Sequence, residues 1–176
     1  MRWTIPLAAL ACAAPAAAEV TGRNEAGFAT FANATVAATP DRVWAALTEP
    51  KHWWNPAHSW SGNGSNLSLE PAAGGCFCET LPGGGSVEHM RVIYAAPGHR
   101  LRMVGALGPL QAEGLAATLT VALEPVAGGT RIDWTYKVGG YTDYPTDEIA
   151  PAVDGVMSKQ LHRLANFVDR GDPALD

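Results

Sequence analysis

Apolar and polar residues alternate along most of the chain, and this period of two predicts β-strands. The first alternating stretch spans residues 28–37. Further strand-like runs follow after a loop, and turn residues rich in glycine and proline separate them. These runs are predicted at residues 67–70, 76–80, 86–95, 100–107, 115–124 and 130–139. Consecutive short strands joined by tight turns favour an antiparallel meander.

Two segments instead repeat their apolar residues every three to four positions, which predicts helices. The first begins at Thr39, which can cap it, with Pro40 and Asp41 suited to the first turn, and it ends near Pro50. The second is long and ends near Gly171. Its apolar face consists of Ile149, Val153, Val156, Met157, Leu161, Leu164 and Val168.

The order of these elements is one strand, a short helix, a run of strands and a long helix, which indicates an α+β fold. A strongly curved antiparallel sheet has to cover its concave face, and only the C-terminal helix is long enough to do so. A helix held against a sheet in this way leaves a cavity unless large side chains fill it. The sequence therefore predicts a curved sheet wrapped around the last helix, with a pocket between them.

The first eighteen residues differ in character from the rest of the chain. Arg2 is the only charged residue before Glu19, and between them lies a short apolar stretch that ends in Ala16-Ala17-Ala18. A cation, an apolar stretch and a small-residue end form a secretory signal peptide, so we expect residues 1–18 to be removed between Ala18 and Glu19. The mature chain, residues 19–176, would then be a single domain in the periplasm or outside the cell.

Composition and charge narrow the classes of function. A net charge of −5 does not suit nucleic acid or an anionic membrane surface. No apolar segment reaches the roughly 20 residues that a membrane-spanning helix needs, so a transmembrane protein is not expected. A lipid anchor on Cys12 is a minor alternative, because Ala9-Leu10-Ala11 matches the leucine-small-small triplet of lipoprotein signals poorly. The sequence carries no signal for an oligomeric state.

Four segments resemble motifs of the START-like superfamily, also called SRPBCC, which includes polyketide cyclases/dehydrases and homologues of the activator of Hsp90 ATPase. Residues 38–48, ATPDRVWAALT, resemble its strand-to-helix opening, and residues 71–75, PAAGG, resemble the turn before a cavity strand. Residues 91–101, RVIYAAPGHRL, resemble its mid-sheet hairpin, and residues 128–132, GGTRI, resemble the turn before the last strand. Their order and spacing cover nearly the whole mature chain.

This resemblance implies a helix-grip fold of the START and Bet v 1 type with an internal ligand pocket. It implies less about activity, because the relatives include lipid carriers, aromatic polyketide cyclases, plant hormone receptors and co-chaperone domains. Co-chaperone activity is set aside, because its partner is cytosolic and an exported protein would not meet it. The expected ligand is a small apolar molecule, and no cofactor is expected.

The aromatic loop, residues 52–60, is the richest candidate segment, with three tryptophans and two histidines. Trp53, Trp54 and Trp60 could cover the mouth of the pocket and stack on a flat ligand. The alternative is that they only fill the space between the first helix and the sheet. The two histidines could exchange protons near neutral pH, although a surface histidine beside tryptophan is the more common case.

The walls of the pocket are expected from the inner faces of the sheet and of the C-terminal helix. In the last strand Trp134 and Tyr136 share a face with Ile132 and Val138, and they could offer an N–H and an O–H to a ligand. Plain core packing is the alternative, and a pocket wall can be core as well. The predicted lining residues are Trp53, Trp54, Trp60, Met90, Val92, Met103, Trp134, Tyr136, Val153, Met157 and Leu161.

Cys76 and Cys78 lie on one face of a predicted strand. The first interpretation is two small residues that line the cavity or pack under a helix. The second is a disulfide, favoured by an oxidising compartment, although residues two apart in an extended strand have Cα atoms roughly 6.5–7 Å apart, so that a bridge needs a bulge or kink. A metal site is the third, and no zinc-like ligand spacing supports it, so no metal is predicted.

Strict alternation in the strand that follows the triple glycine places Glu88, Met90 and Tyr94 on the inner face and His89 on the outer face. A buried Glu88 could serve as a general acid or base, but Glu88 near a strand end can reach solvent, which is the preferred interpretation. A β-bulge would reverse these assignments. Glu79 is expected nearby, on a neighbouring strand.

No nucleophile, zinc-protease, phosphate-loop or dinucleotide-binding motif is present, so no catalytic residue is assigned. The favoured function is an exported protein that binds a small hydrophobic molecule. The second hypothesis is a cyclase-, hydratase- or aldolase-type enzyme in which a pocket His, Glu or Tyr with a perturbed pKa moves protons. The third is a partner-binding module that uses an exposed tryptophan loop, and it fails if the three tryptophans are all buried.

Overall fold

The computed structural model describes residues 18–174, and its centre is an eight-stranded antiparallel sheet. Across the sheet the strands follow the order β1-β2-β8-β7-β6-β5-β4-β3, so that β3 to β8 form the predicted meander and β2 pairs with β8. The strands are β1 (Ala18–Asn24), β2 (Gly27–Val36), β3 (Leu67–Leu69), β4 (Cys76–Thr80), β5 (Ser86–Ala96), β6 (Arg100–Val104), β7 (Gly114–Val126) and β8 (Gly129–Tyr141).

Two α-helices accompany the sheet, and their ends follow the predicted signals. Helix α1 (Pro40–Leu47) begins where the Thr39 side chain accepts a hydrogen bond from the Arg42 amide, and α2 (Thr146–Arg170) ends at Gly171 with φ of +74°. Helix α2 packs against β1, β2 and α1. The predicted helix-grip fold is thereby confirmed. Among residues 18–174, no helix combines the length and the apolar character that crossing a membrane requires.

The inner face of β8 forms the middle of the core, as its alternation predicts. Ile132, Trp134, Tyr136 and Val138 are all buried, whereas the residues between them are more exposed. Leu161 and other apolar residues of α2 are buried in the same core cluster. Burial of side chains of this size contributes about 1.5–3 kcal/mol each, so this shared core holds the helix against the sheet.

Strand β1 is not predicted by the sequence pattern. Residues 19–24 contain one large apolar residue, Val20, and Gly22 interrupts any alternation. The segment is nevertheless a strand, because its backbone pairs with β2 across a register shift between Val20 and Gly22. The predicted signal peptide and Cys12 lie outside the described residues, apart from Ala18.

Strand β6 is shorter than the predicted run of residues 100–107. It ends at Val104, and Gly105 then adopts φ of +146°, where its backbone lies against β5. A short 3₁₀ helix at Gly108–Ala112 follows, and it turns the chain away from the sheet. Other 3₁₀ helices lie at Pro50–His52, Pro56–His58, Gly64–Asn66 and Pro82–Gly84.

Candidate functional site

A β-bulge in β5 places two consecutive residues on the inner face of the sheet. Phe77 pairs with Met90 but Cys78 pairs with Glu88, so His89 is the extra residue. Because a bulge interrupts alternation, His89 and Met90 are both buried, at 4% and 1% exposure. Glu88 reaches solvent, as the preferred interpretation has it, but His89 is on the inner face, so the assignment from strict alternation is wrong.

A second register shift lies farther along β5. Val92 pairs with Met103 and Tyr94 pairs with Arg102, which leaves Ile93 as the extra residue. Tyr94 is consequently exposed, and the guanidinium of Arg102 lies 5.9 Å from the centre of its ring. The inner position predicted for Tyr94 is therefore wrong.

The buried His89 is paired with a buried carboxylate on β4. Glu79 is 1% exposed, and its Oε2 lies 2.9 Å from His89 Nε2. The same carboxylate accepts hydrogen bonds from two backbone amides, Trp60 N at 3.0 Å and Ser61 N at 2.6 Å. Three donors thus satisfy a charge that would be very unfavourable if buried alone. They also fasten the end of the aromatic loop to the sheet.

The pKa shifts in this pair keep Glu79 charged and His89 neutral. Burial, the largest influence, raises the pKa of Glu79, but hydrogen bonds from Ser61, Trp60 and His89 outweigh it, so the pKa lies below its ordinary value. Burial lowers the pKa of His89 more than the Glu79 carboxylate raises it. A neutral imidazole that donates from Nε2 to a carboxylate has Nδ1 left as a hydrogen-bond acceptor.

His89 lies in the wall of a cavity of about 420 Å³ between the aromatic loop, the 3₁₀ helix after β6 and the first half of α2. Ligand sites commonly have about 300–1,000 Å³ and mostly apolar walls. None of the described residues that line this cavity is Lys, Arg, Asp or Glu. The lining residues are Trp54, Ala57, His58, Ser59, Trp60, His89, Leu107, Gly108, Pro109, Leu110, Tyr136, Ile149, Ala152, Val153, Val156 and Met157.

The hydroxyl of Tyr136 is already used within the protein. It accepts a hydrogen bond from Leu107 N at 3.0 Å and can donate to Gly105 O at 3.4 Å. Burial raises the pKa of Tyr136 well above its ordinary value, although the hydrogen bond from Leu107 opposes this. Tyr136 therefore holds the chain after β6 in place and stays protonated, which does not suit it to proton transfer.

The other polar side chains of the wall lie toward the rim. Ser59 Oγ donates to Pro56 O at 2.8 Å within the loop. His58 is exposed, and its pKa is lowered by partial burial and by the charge of Lys159. His89 is thus the deeply buried side chain of the wall that keeps a polar atom available to a ligand.

The three tryptophans of the aromatic loop have different environments. Trp53 and Trp54 are 3% and 6% exposed, and their indole N–H groups donate to Ala46 O and His58 O. They fill the space under the loop, as the packing alternative has it, while Trp54 also faces the cavity. Trp60 is 55% exposed at the rim, so the loop presents one exposed tryptophan and no exposed cluster.

The predicted lining residues divide into three groups. Trp54, Trp60, Tyr136, Val153 and Met157 lie on the wall of the large cavity. Trp53, Met103 and Trp134 surround a separate void of about 20 Å³ beneath the loop. Met90, Val92 and Leu161 are buried in the core and line neither space. The reason is that Trp53 and Trp54 cover the middle of the sheet, which shifts the cavity toward the N-terminal half of α2.

Several wall residues were missed by sequence reasoning. Strict alternation predicts His89 on the outer face and a strand that continues to residue 107, so it does not predict that the turn at Leu107–Leu110 lies on the wall. Alternation contains no signal for a bulge or for this turn. Ile149 and Val156, by contrast, belong to the predicted apolar face of α2, so the face itself was the signal for them.

Cys76 and Cys78 are joined by a disulfide on the outer face of β4, where both are half-buried. Their Cα atoms are 5.4 Å apart, within the range of disulfides, at the register shift opposite the His89 bulge. The first interpretation, packing along the cavity or under a helix, is therefore wrong. No group of three or more His, Cys, Asp or Glu side chains suited to a metal ion occurs within residues 18–174.

Comparisons with known proteins agree with this fold. The family model for polyketide cyclase / dehydrase and lipid transport matches residues 29–168. Similar solved structures include a conserved protein of unknown function from Enterococcus faecalis, with a TM-score of 0.61, 15% identity and 92% of this chain and 82% of that chain covered. A search of curated protein sequences found no match.

Two further solved structures are similar to this chain. CalU16 from Micromonospora echinospora has a TM-score of 0.58 and 18% identity, with 90% of this chain and 85% of that chain covered. The Aha1 dimer from Colwellia psychrerythraea has a TM-score of 0.55 and 18% identity, with 80% and 96% covered. Similarity at these identities shows the fold alone.

Proposed function

Because the chain belongs to the polyketide cyclase / dehydrase and lipid transport family, we propose that it binds a small apolar molecule in the cavity beside α2. The observation that carries this proposal is the cavity itself, with about 420 Å³ of space and no Lys, Arg, Asp or Glu among the lining residues that the structure describes. At a protein-like packing density of about 0.75, a ligand of roughly 300 Å³ fills such a space. This corresponds to roughly 15–20 non-hydrogen atoms.

Proton transfer to or from the bound molecule is a second candidate, because His89 faces the cavity with Glu79 behind it. A neutral imidazole with a carboxylate partner can accept a proton from a molecule held against it. Chemical conversion of the ligand during a binding experiment would favour this candidate over simple binding. The partner-binding candidate has less support, since Trp53 and Trp54 are buried.

Filling the cavity is expected to abolish ligand binding. Val153 lies half-buried on α2 in the cavity wall, and the indole of Val153→Trp would occupy space that the ligand needs. We expect pyrene, a fluorescent hydrocarbon of suitable size, to bind the unaltered protein and to bind Val153→Trp at least about tenfold more weakly. Titration followed by pyrene fluorescence measures both affinities.

The matched control is Val126→Trp, which adds the same indole at an exposed position at the end of β7, away from the cavity. Its affinity for pyrene is expected to equal that of the unaltered protein. Equal affinities in the control and in Val153→Trp would contradict binding in this cavity.

We further propose that the protein acts in an exported, mature form. The signal-like composition of residues 1–18 supports export, and so does the Cys76–Cys78 disulfide, because such bonds persist in oxidising compartments. Cleavage between Ala18 and Glu19 would keep the rest of β1. We expect protein purified from the cell envelope to have the intact mass of residues 19–176 less two hydrogens, and to regain them on reduction. A mass that includes residues 1–18, or thiols that react before reduction, would contradict these expectations.

A further inference from the structure

Among the described wall residues, His89 is a deeply buried side chain with one polar atom that has no hydrogen bond inside the protein. Its Nε2 is held by Glu79 at 2.9 Å. Its Nδ1 has no hydrogen-bond partner within residues 18–174, and the ring is a lining residue of the cavity. Although His89 is only 4% exposed, Nδ1 is not one of the fully buried polar atoms without a partner, so the space beside it is open to one. A ligand is the natural partner for an atom that faces a binding cavity.

Glu79 determines what kind of partner Nδ1 can take. The carboxylate is charged and accepts from Nε2, so the proton of the neutral imidazole is on Nε2 and Nδ1 presents a lone pair. Donation to a carboxylate also increases the basicity of the imidazole. The ring cannot turn over without losing this contact, and Phe77 packs on it with ring centres 5.0 Å apart. Nδ1 is therefore a fixed acceptor that requires a donor from the ligand.

Charge narrows the class of ligand further. The charged group paired with His89 is the negative Glu79, and no Lys or Arg is among the described lining residues. A ligand carboxylate would lose its hydration without gaining a cation, which is unfavourable in an apolar cavity. An ether or ester oxygen placed against Nδ1 would bring two acceptors together. A neutral hydroxyl group satisfies both conditions.

We propose that the cavity selects apolar molecules that carry a hydroxyl group, such as a phenol or a lipid alcohol, whose O–H donates to His89 Nδ1. This inference rests on the proposed binding function and specifies its ligand class. His89 contacts the ligand directly, whereas Glu79 is a positioning residue that acts through the imidazole.

The test compares three fluorescent ligands that share the pyrene ring system, 1-hydroxypyrene, 1-methoxypyrene and pyrene-1-carboxylate, at pH 7. We expect 1-hydroxypyrene to bind about 5- to 10-fold more tightly than 1-methoxypyrene, which is the usual net effect of one neutral hydrogen bond. The carboxylate is expected to bind most weakly. The readout is the ratio of the first two affinities, because a merely loosened fold weakens the binding of both ligands together.

Variants assign the preference to one atom. His89→Phe keeps an aromatic ring but removes Nδ1, so the ratio is expected to fall to about one. Glu79→Gln is expected to lower the ratio at least twofold, because a neutral amide holds the imidazole less firmly than a carboxylate does. If His89→Phe does not fold, Glu79→Gln takes its place in the test. His162→Phe makes the same change at an exposed histidine of α2 that does not line the cavity, and it is expected to leave the ratio as it is.

Two groups of results separate the hypotheses. Equal affinities for the hydroxyl and methoxyl ligands, a ratio that survives in His89→Phe, or a ratio lost in His162→Phe would each overturn the hydroxyl preference while leaving apolar binding intact. Failure of all three ligands and of pyrene to bind the unaltered protein would overturn the proposed binding function, and the preference with it.

Discussion

Glu79→Ala is expected to lower the free energy of unfolding by about 3 kcal/mol, because one buried carboxylate serves three donors. The substitution leaves Trp60 N, Ser61 N and the Nε2 of His89 without their acceptor. It also separates the end of the aromatic loop from β4, so Trp60 should become more mobile. Urea unfolding followed by tryptophan fluorescence measures the loss of stability, and the emission of the folded state reports the loop.

Glu88→Ala is the matched control for this experiment. Glu88 is a carboxylate on the adjacent strand and forms an ion pair with Arg91, but both side chains are about half-exposed. Exposed ion pairs contribute little, so the change is expected to stay within about 0.5 kcal/mol. If Glu79→Ala proves as mild as the control, the Glu79–His89 pair does not fasten the loop to the sheet, and the structural basis of a fixed imidazole is lost as well.

The fold was predictable because its signals are local. The Thr39 cap, the apolar face of α2 and the alternation through β8 each depend on residues close in sequence, and each is present in the structure. Strand β1 has no such signal, since its pairing with β2 depends on backbone hydrogen bonds that any sequence can make. The four segments that resemble the START-like superfamily added the order of elements and the expectation of a cavity.

The candidate site was harder to predict because a β-bulge determines it. His89 faces inward only because β4 and β5 pair with a one-residue shift, which depends on contacts between distant parts of the chain. One such contact is Gly105, where an added Cβ would lie 2.6 Å from the carbonyl oxygen of His89. The residues next to Gly105 and His89 in the sequence give no signal of this close approach. The position of the cavity likewise depends on how Trp53 and Trp54 pack.

Gly129→Ala is expected to lower the free energy of unfolding by about 3 kcal/mol or more. The reason is a close approach of two backbones, which the sequence of the GGTRI segment does not indicate. Gly129 begins β8 where the end of β2 passes, and an added Cβ would lie 1.9 Å from Val36 O and 2.9 Å from its carbonyl carbon. Both atoms are backbone, so relief requires the strands to separate, and inserting even one methyl group into a packed interior costs about 1–3 kcal/mol, occasionally more.

The damage from Gly129→Ala is expected to extend to the start of α1. The neighbouring Thr130 is completely buried, and its hydroxyl donates to Ala38 O at 2.6 Å, just before the Thr39 cap. A shift of β8 would break this hydrogen bond and loosen the pairing of β2 with β8. Urea unfolding monitored by circular dichroism is suitable here, because both the sheet and α1 contribute to the signal.

Gly155→Ala is the matched control, because the same methyl group on α2 meets no atom within 4 Å beyond its own stretch of helix. Alanine is the better helix former by about 0.8–1 kcal/mol, so this variant is expected to be slightly more stable than the unaltered protein. Opposite signs for the two glycine substitutions would show that close approach of the backbones, and not flexibility of glycine, is what position 129 requires. A small effect at both positions would contradict this prediction. It would mean that the junction of β2, β8 and α1 can shift to accommodate the added methyl group, so that the sheet beside the cavity is less rigid than its contacts indicate.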